Sequence, residues 1–350
     1  MNRRYDIDWL RVIAIGLLII YHTAIGFQPW GVFIQFIQNN TFLEWIWYPM
    51  SVLNIWRIPL LFFVSGMGIA FAMRSRDLKQ LFLDRTIRIL LPFVFGIFAM
   101  VPIHVFIWQA YYSQDICYSA LPSRLWFLGF IFLYVFIFSS AFYYMNKNKD
   151  GKLVSWLNKI FKNPLSMILV SIPFILESVI TNPESYTFYA MSLHGFIMGA
   201  LAFFWGFTFV ISGSSVWIML NKWKFLFLAI GMGLFTLRFL KYDLESPNIL
   251  MSLETVSCTV SVFGFAFQYL NRPSRSLTYL SQAVYPVYII HMIVQYAASY
   301  FFFPLEIPAF IKFILVVFIT FLGSFIIYEL VIRRVKFIRP LFGIKYKMKA

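Results

Sequence analysis

Long apolar runs are the feature that most constrains the fold of this chain. Ten of them follow one another with short polar connections, and a helix needs about 20 mostly apolar residues to cross a bilayer. They lie at 9–27, 51–73, 89–110, 124–144, 165–181, 190–212, 224–240, 248–270, 278–303 and 308–332. The sequence therefore predicts an all-α, polytopic membrane helix bundle of about ten transmembrane helices that forms one domain over 1–350.

Basic residues fall at alternate ends of these runs. If the N-terminus lies in the cytoplasm and the chain crosses ten times, 23 of the 29 Lys and Arg residues lie in cytoplasmic segments. This is the positive-inside bias of membrane proteins. Both termini are therefore predicted to be cytoplasmic, with a basic cytoplasmic tail over 333–350. Because the net charge of +15 is spread over these ends, a nucleic-acid partner is excluded.

Two connecting segments have apolar residues at helical spacing. They are KLVSWLNKIFK, between the fourth and fifth runs, and DLKQLFLDRTIR, just before the third run. Both are predicted to be amphipathic helices at the membrane surface. The first run resembles a signal peptide, but no small-residue cleavage site follows it, so we expect it to remain as the first helix.

The pattern of cysteines and histidines does not favour a metal site. Cys117 and Cys258 are far apart and match no metal or redox spacing. No two histidines lie four residues apart on one helix, although all four fall at similar depths in the predicted spans. They are His22, His104, His194 and His291. We expect no metal, and a neutral histidine acting as a general base is the favoured use.

The first predicted helix carries polar side chains on one face. Eleven residues separate Arg11 from His22, and at 100° per residue the two point the same way, about 16 Å apart along the axis. Asp8 precedes Arg11 by three residues, so the two can pair. Because charges inside a span are costly, this stripe is a candidate functional site.

Three further arginines are candidates. Arg85 and Arg88 form an Arg-x-x-Arg pair at the cytoplasmic entrance to the third run, and arginine binds phosphates with a planar fork of donors. Positive-inside anchoring is the alternative, and it accounts for most such arginines. Arg57 lies within the second run and needs a partner, for which the buried acids Glu177, Glu254 and Glu329 remain open.

Five segments resemble the acyltransferase-3 family of integral membrane acyltransferases, in order along nearly the whole chain. The family shows Arg, ten residues and then His in its first helix, as in DWLRVIAIGLLIIYH. The other segments are IPLLFFVSGMGIAF, DRTIRILLPFVFG with its Arg-x-x-Arg, LWFLGFIFLYVF and LSQAVYPVYIIH. Within the family, the segments DWLRVIA and YPVYIIH most resemble the glucan-biosynthesis succinyltransferase branch.

This resemblance implies a membrane-bound O-acyltransferase in a bacterial inner membrane. An acetyl or succinyl group would pass from cytoplasmic acyl-CoA to a hydroxyl of an extracytoplasmic carbohydrate. Arg85, Arg88 and Arg11 would bind the CoA phosphates, and Asp8 would support Arg11. The catalytic residues would be His22, Arg11 and Asp8, with His22 acting as general base or carrying the acyl group as a nucleophile. A possible substrate cavity would include Arg57, Tyr288, His291 and Glu329.

A different class of function also uses arginine and histidine inside the membrane. A transporter or flippase for a lipid-linked glycan or anionic solute would employ them as a substrate or proton path. The sequence has no inverted repeat and no pair of broken helices, which favours the transferase. The oligomeric state is left open.

Overall fold

The computed structural model describes residues 3–344 and 346, and all regular structure in them is helical. Within these described residues, nine helices are long and apolar enough to cross a membrane, and Ser166–Thr181 is a shorter apolar helix of 16 residues. The predicted polytopic helical fold is thus confirmed. In chain order the helices are α1 Tyr5–Ile25, α2 Glu44–Ala72, α3 Leu78–Tyr111, α4 Ser123–Lys147, α5 Lys152–Ile160, α6 Ser166–Thr181, α7 Leu193–Ile211, α8 Ser215–Lys241, α9 Asn248–Tyr269, α10 Arg275–Phe302 and α11 Ala309–Ile332.

The predicted basic tail is partly described. Its first part forms a short 3₁₀ helix, Lys336–Phe342. Residues 345 and 347–350 of the predicted tail lie outside the described residues. The cytoplasmic placement of the tail stays a prediction.

Helix α3 differs from its prediction. A separate surface helix was expected over 77–88 with the span beginning at 89, but one helix runs through Leu78–Tyr111. Two π-helical turns, Thr86–Leu90 and Gly96–Met100, keep the backbone helical. Each is followed by a proline, Pro92 or Pro102, in the first positions of a new α-helical segment, where the missing N–H costs little. The other predicted amphipathic helix is present as α5.

The chain forms two compact units. Unit 1 comprises Met1–Arg11, Ser51–Asp84 and Phe130–Pro273, and unit 2 comprises Val12–Met50, Arg85–Gly129 and Ser274–Ala350. Helix α1 therefore begins in unit 1 and continues in unit 2. In unit 2, α10 contacts both α11 and the second half of α3.

Small residues let helices α2 and α7 approach closely in unit 1. A Cβ on Gly66 would lie 1.9 Å from the carbonyl oxygen of Phe203, and a Cβ on Gly206 would lie 1.9 Å from that of Phe63. Both phenylalanine side chains are fully buried. Close approach over small residues is a common way for membrane helices to associate, so these glycines set the crossing of α2 and α7.

A buried ion pair links α8 to α9 in unit 1. Arg238 donates to both carboxylate oxygens of Glu254, from Nε at 2.9 Å and from Nη2 at 2.8 Å. The side chains are each 1% exposed. The same guanidinium also donates to the carbonyl oxygens of Leu244 and Ser51. The two charges thus satisfy each other in a site from which water is excluded.

Breaking this pair is expected to destabilise the fold. The single change Glu254→Ala leaves Arg238 buried without its counter-charge, and we expect it to lower the free energy of unfolding by about 3–5 kcal/mol. The double change Arg238→Met with Glu254→Leu removes both charges and should recover most of that loss. Thermal unfolding of the detergent-solubilised protein measures both. Additive losses in the double variant would show that the two charges do not act as a pair.

Candidate functional site

Two histidines from distant parts of the chain meet in unit 2. Nδ1 of His22, on α1, lies 3.0 Å from Nε2 of His291, on α10. The two rings stack with centroids 5.2 Å apart. His22 is 7% exposed and His291 is fully buried. The two side chains therefore form a histidine pair inside the unit.

The surroundings of this pair determine which nitrogens carry hydrogen. Nδ1 of His291 lies 2.6 Å from the carbonyl oxygen of Tyr288, and a carbonyl can only accept, so this Nδ1 is a donor. A neutral His291 then has its lone pair at Nε2, and Nδ1 of His22 must donate to it. The lone pair of a neutral His22 is consequently at Nε2. This is the tautomer in which an oriented imidazole can take a proton from a substrate.

An arginine contacts the same phenylalanine ring as His22. The His22 ring meets the Phe36 ring edge-on at 5.6 Å, and Cζ of Arg124 lies 4.4 Å from the centroid of the same Phe36 ring. Arg124, at the start of α4, also donates to the carbonyl oxygen of Ile34. The guanidinium is thus held by a cation–π contact and a backbone carbonyl.

A small pocket adjoins Arg124. It is lined by residues from α3, α4 and α10, namely Met100, Val101, His104, Arg124, Leu125, Tyr288, Ile289 and Met292. The hydroxyl of Tyr288 donates to the carbonyl oxygen of Arg124 at 2.6 Å, and Nε2 of His104 lies 3.3 Å from the Ser123 hydroxyl. The pocket is apolar except for an arginine, a histidine and a tyrosine.

Two strained backbone positions border this region. Gln35 has φ +62° and Ser123 has φ +42°, values that residues with a side chain rarely adopt. The carbonyl oxygen of Gln35 accepts a hydrogen bond from the Tyr296 hydroxyl, and Ser123 contacts His104. Strain of this kind persists where surrounding contacts enforce it and is concentrated at functional sites.

The Arg-x-x-Arg pair also belongs to unit 2. Arg88 lies in the π-helical turn Thr86–Leu90, which directly follows Arg85, and both side chains are half-buried. The segment Lys336–Phe342 contacts this part of α3, and a Cβ on Gly343 would lie 3.0 Å from the carbonyl oxygen of Arg88. The C-terminal segment therefore packs against the first part of α3, where the Arg-x-x-Arg pair lies.

Most of the chain matches a known protein family. A family model described as an acyltransferase domain, Acyl_transf_3, matches residues 4–329. The chain belongs to the acyltransferase-3 family. No curated protein and no solved structure matches it. The protein is accordingly a multi-pass membrane acyltransferase.

The start of α1 holds the other predicted residues of the acyltransferase. Arg11 Nη1 lies 3.8 Å from Asp8 Oδ1, so the predicted pair is present at the outer limit of salt-bridge distance. Asp8 also accepts from Arg3 Nη2 at 2.9 Å. Arg11 lies against Gly68 of α2 in unit 1. Helix α1 is unbroken from Arg11 to His22, as the predicted stripe requires.

Arg57 is buried in unit 1, with 1% of its surface exposed. Each acid considered as its partner lies against another side chain: Glu254 against Arg238, Glu177 against His194 and Glu329 against Arg333. Glu329 lies in a terminal π-helical turn of α11, and its carboxylate also accepts from the Tyr279 hydroxyl at 3.2 Å. The proposed roles of Arg57 and Glu329 in a substrate cavity stay predictions.

The four histidines do not share one environment. His22, His104 and His291 belong to unit 2, whereas His194 belongs to unit 1. Nδ1 of His194 lies 3.0 Å from both carboxylate oxygens of Glu177, and its Nε2 lies 2.9 Å from the carbonyl oxygen of Tyr186. Within residues 3–344 and 346, no group of three or more His, Cys, Asp and Glu side chains could hold a metal ion.

Sequence reasoning missed Arg124 as a site residue. In the predicted topology this arginine is one of the few basic residues at the outer ends of spans. The available signal was its position directly before the apolar segment LWFLGFIFLYVF, at a predicted outer end where few basic residues were expected. A basic residue that departs from the positive-inside bias has a reason to be there other than orientation.

Proposed function

We propose that this acyltransferase moves an acyl group from cytoplasmic acyl-CoA to a hydroxyl of an extracytoplasmic carbohydrate, with His22 as general base. Acetyl-CoA and succinyl-CoA are the donors considered, and a bacterial inner membrane is the proposed location. The hydrogen-bond chain from His22 through His291 to the Tyr288 carbonyl supports the proposal most strongly. It leaves a neutral imidazole with its lone pair at Nε2, inside a buried site.

The proposed step is a direct acyl transfer. The hydroxyl oxygen of the acceptor bonds to the thioester carbon while its proton moves to Nε2 of His22. The carbon–sulfur bond then breaks, and the proton passes from His22 to the sulfur to give the CoA thiol. His291 remains hydrogen-bonded to Nδ1 of His22 throughout and stabilises the imidazolium that forms, as the orienting partner of a catalytic histidine does in other enzymes.

The donor phosphates are proposed to bind at the Arg-x-x-Arg end of α3. Arg85 and Arg88 are half-buried there, and the C-terminal segment Lys336–Phe342 packs against this part of the helix. Guanidinium groups bind phosphate oxygens through paired, charge-assisted hydrogen bonds. Arg11 stays a proposed phosphate ligand on the strength of its position in α1 and its family motif.

Loss of the Arg85 and Arg88 charges is expected to weaken acyl-CoA binding. The double change Arg85→Gln with Arg88→Gln should raise the Kd for acyl-CoA about 10- to 100-fold, because hydrogen bonds between charged partners contribute about 1.5–3 kcal/mol. Equilibrium binding of radiolabelled acetyl-CoA to the purified protein measures this. Lys79→Gln on the same helix removes a charge from an exposed side chain and is the matched control.

The binding assay also separates this proposal from transport. Acyl-CoA affinity that survives in the double variant, with its salt dependence intact, would remove the phosphate role of the pair. The proposed function itself is wrong if the wild-type protein neither binds nor consumes acyl-CoA while it moves a labelled glycan or anion across proteoliposomes. The thiol released from CoA during turnover reports the chemical step directly.

A further inference from the structure

Two tyrosine hydroxyls of unit 2 are buried without a hydrogen-bond partner among residues 3–344 and 346. They belong to Tyr285 of α10 and Tyr328 of α11. By contrast, the hydroxyls of Tyr288 and Tyr296, also on α10, both donate to backbone carbonyls. An unpaired buried hydroxyl costs free energy, whereas a phenylalanine would fill the same space without that cost. Such a group is explained if its partner is a ligand rather than another part of the protein.

Tyr285 lies beside the Arg-x-x-Arg pair in the first part of α3. A Cβ on Gly343 would clash with the Tyr285 ring and would lie 3.0 Å from the carbonyl oxygen of Arg88. The ring and the backbone of the pair therefore meet at this glycine. Tyr285 is only half-buried as a whole, and the positive charge of Arg85 acts on its hydroxyl. The hydroxyl thus shares the electrostatic surroundings of the pair.

The donors at this place favour an anion with several acceptor oxygens. The Tyr285 hydroxyl can donate one hydrogen bond, and the guanidinium groups of Arg85 and Arg88 donate through planar forks. The diphosphate of CoA offers several oxygens and carries negative charge, so it suits both kinds of donor. The pantetheine arm and the thioester of the proposed donor are uncharged and do not need the arginines.

We propose that Tyr285 is a further ligand of the acyl donor, and that its hydroxyl donates a hydrogen bond to the diphosphate of acyl-CoA beside Arg85. This inference rests on the proposed function, because it adds a residue to the same donor site. The donor then supplies the partner that the hydroxyl lacks among the described residues. No covalent bond changes at Tyr285, so its role is in binding.

Tyr285→Phe tests the proposal through two measurements on the purified full-length protein. The Kd for radiolabelled acetyl-CoA should rise about tenfold, as expected for the loss of one hydrogen bond to a charged group. The temperature of thermal unfolding without donor should stay at the wild-type value or rise, because the change removes an unpaired buried hydroxyl. A lower unfolding temperature with an unchanged Kd would show a purely structural hydroxyl and overturn the proposal.

Tyr328→Phe is the matched control. Its hydroxyl is also buried and unpaired within the described part of the chain, but Tyr328 is 0% exposed, which leaves a donor no access to it. The arginines whose charges act on it are Arg333 and Arg339. This change should leave the Kd for acetyl-CoA at the wild-type value. Equal weakening of the donor in both variants would indicate an effect on packing and would overturn the specific role of Tyr285.

Adenosine diphosphate identifies the part of the donor that Tyr285 binds. This probe carries a diphosphate and lacks the pantetheine arm, and it competes with radiolabelled acetyl-CoA in the same binding assay. Tyr285→Phe should raise the Ki for adenosine diphosphate by the same factor as the Kd for acetyl-CoA. An unchanged Ki, or a wild-type protein in which the probe does not compete, would overturn the assignment to the diphosphate.

A double variant tests whether Tyr285 and Arg85 bind one group. Side chains that bind the same diphosphate are coupled, so Arg85→Gln with Tyr285→Phe should weaken acetyl-CoA by less than the product of the two single effects. Full multiplication of the two effects would place the hydroxyl elsewhere on the donor and contradict the proposal. If the wild type does not bind acetyl-CoA at all, the proposed function fails, and the role of Tyr285 fails with it.

Discussion

Replacement of His22 by alanine is expected to lower kcat for acyl transfer about 10²- to 10⁴-fold, the usual contribution of a general base. The imidazole is the group that accepts the hydroxyl proton in the proposed step, and His291 orients it through a 3.0 Å hydrogen bond. The Kd for acyl-CoA should stay close to the wild-type value, because the donor phosphates are proposed to bind at the end of α3. Release of CoA thiol from acetyl-CoA or succinyl-CoA measures kcat.

Thr23→Ala is the control for this variant. Thr23 is the next residue of α1 and is also buried, but its hydroxyl donates only to the Ile19 carbonyl of the same helix. Its loss removes a polar group from the same turn and spares the histidine pair, so kcat should remain near wild type. A His22→Ala protein that folds, binds acyl-CoA and turns it over at the wild-type rate would exclude His22 as the base. A trapped acyl-histidine would support the nucleophilic role.

Replacement of His291 by leucine is expected to have the second-largest effect, a loss of about 100-fold in kcat, comparable to the effect of removing other orienting partners. Leucine cannot accept a hydrogen bond from Nδ1 of His22. The His22 tautomer with hydrogen on Nδ1 and the lone pair at Nε2 is then no longer favoured. His291→Gln offers an amide oxygen to the same hydrogen and should recover part of the activity. Because His291 acts through His22, its loss should lower kcat more than it raises KM.

Nitrogen NMR of histidine-labelled protein separates this positioning role from a structural one. In the wild type, His22 should show a protonated Nδ1 and an unprotonated Nε2, and a similar spectrum is expected for His291→Gln. His291→Leu should show a mixture of tautomers. An unchanged His22 tautomer in a folded but slow His291→Leu protein would contradict the proposed role of His291.

Sequence patterns predicted the helices well where a local property decides the outcome. In the part of the chain that the structure describes, apolar runs of membrane-spanning length correspond to nine long helices and to the shorter α6. The prediction was wrong at α3, where a surface helix and a span proved to be one helix through Leu78–Tyr111. The amphipathic pattern of 77–88 suggested a separate surface helix, but π-helical turns before Pro92 and Pro102 keep the helix continuous.

The candidate site was predictable only in part. Asp8, Arg11 and His22 could be identified because helical geometry places residues at these spacings on one face of the first helix. The family motifs drew attention to Arg85 and Arg88. The partner of His22 could not be identified, because His291 is 269 positions away in the chain. Both were predicted to lie at similar depth, but depth alone does not select among the other histidines.

The sequence by itself determined that this chain is a multi-pass helical membrane protein and, through its motifs, an acyltransferase. Both follow from local features, since apolar length and motif spacing are read along the chain. Only the tertiary structure decided that Nδ1 of His22 lies within hydrogen-bond distance of Nε2 of His291, and that Arg124 lies beside the same Phe36 ring as His22. These contacts depend on how α1, α4 and α10 pack, and packing joins residues that no local pattern connects.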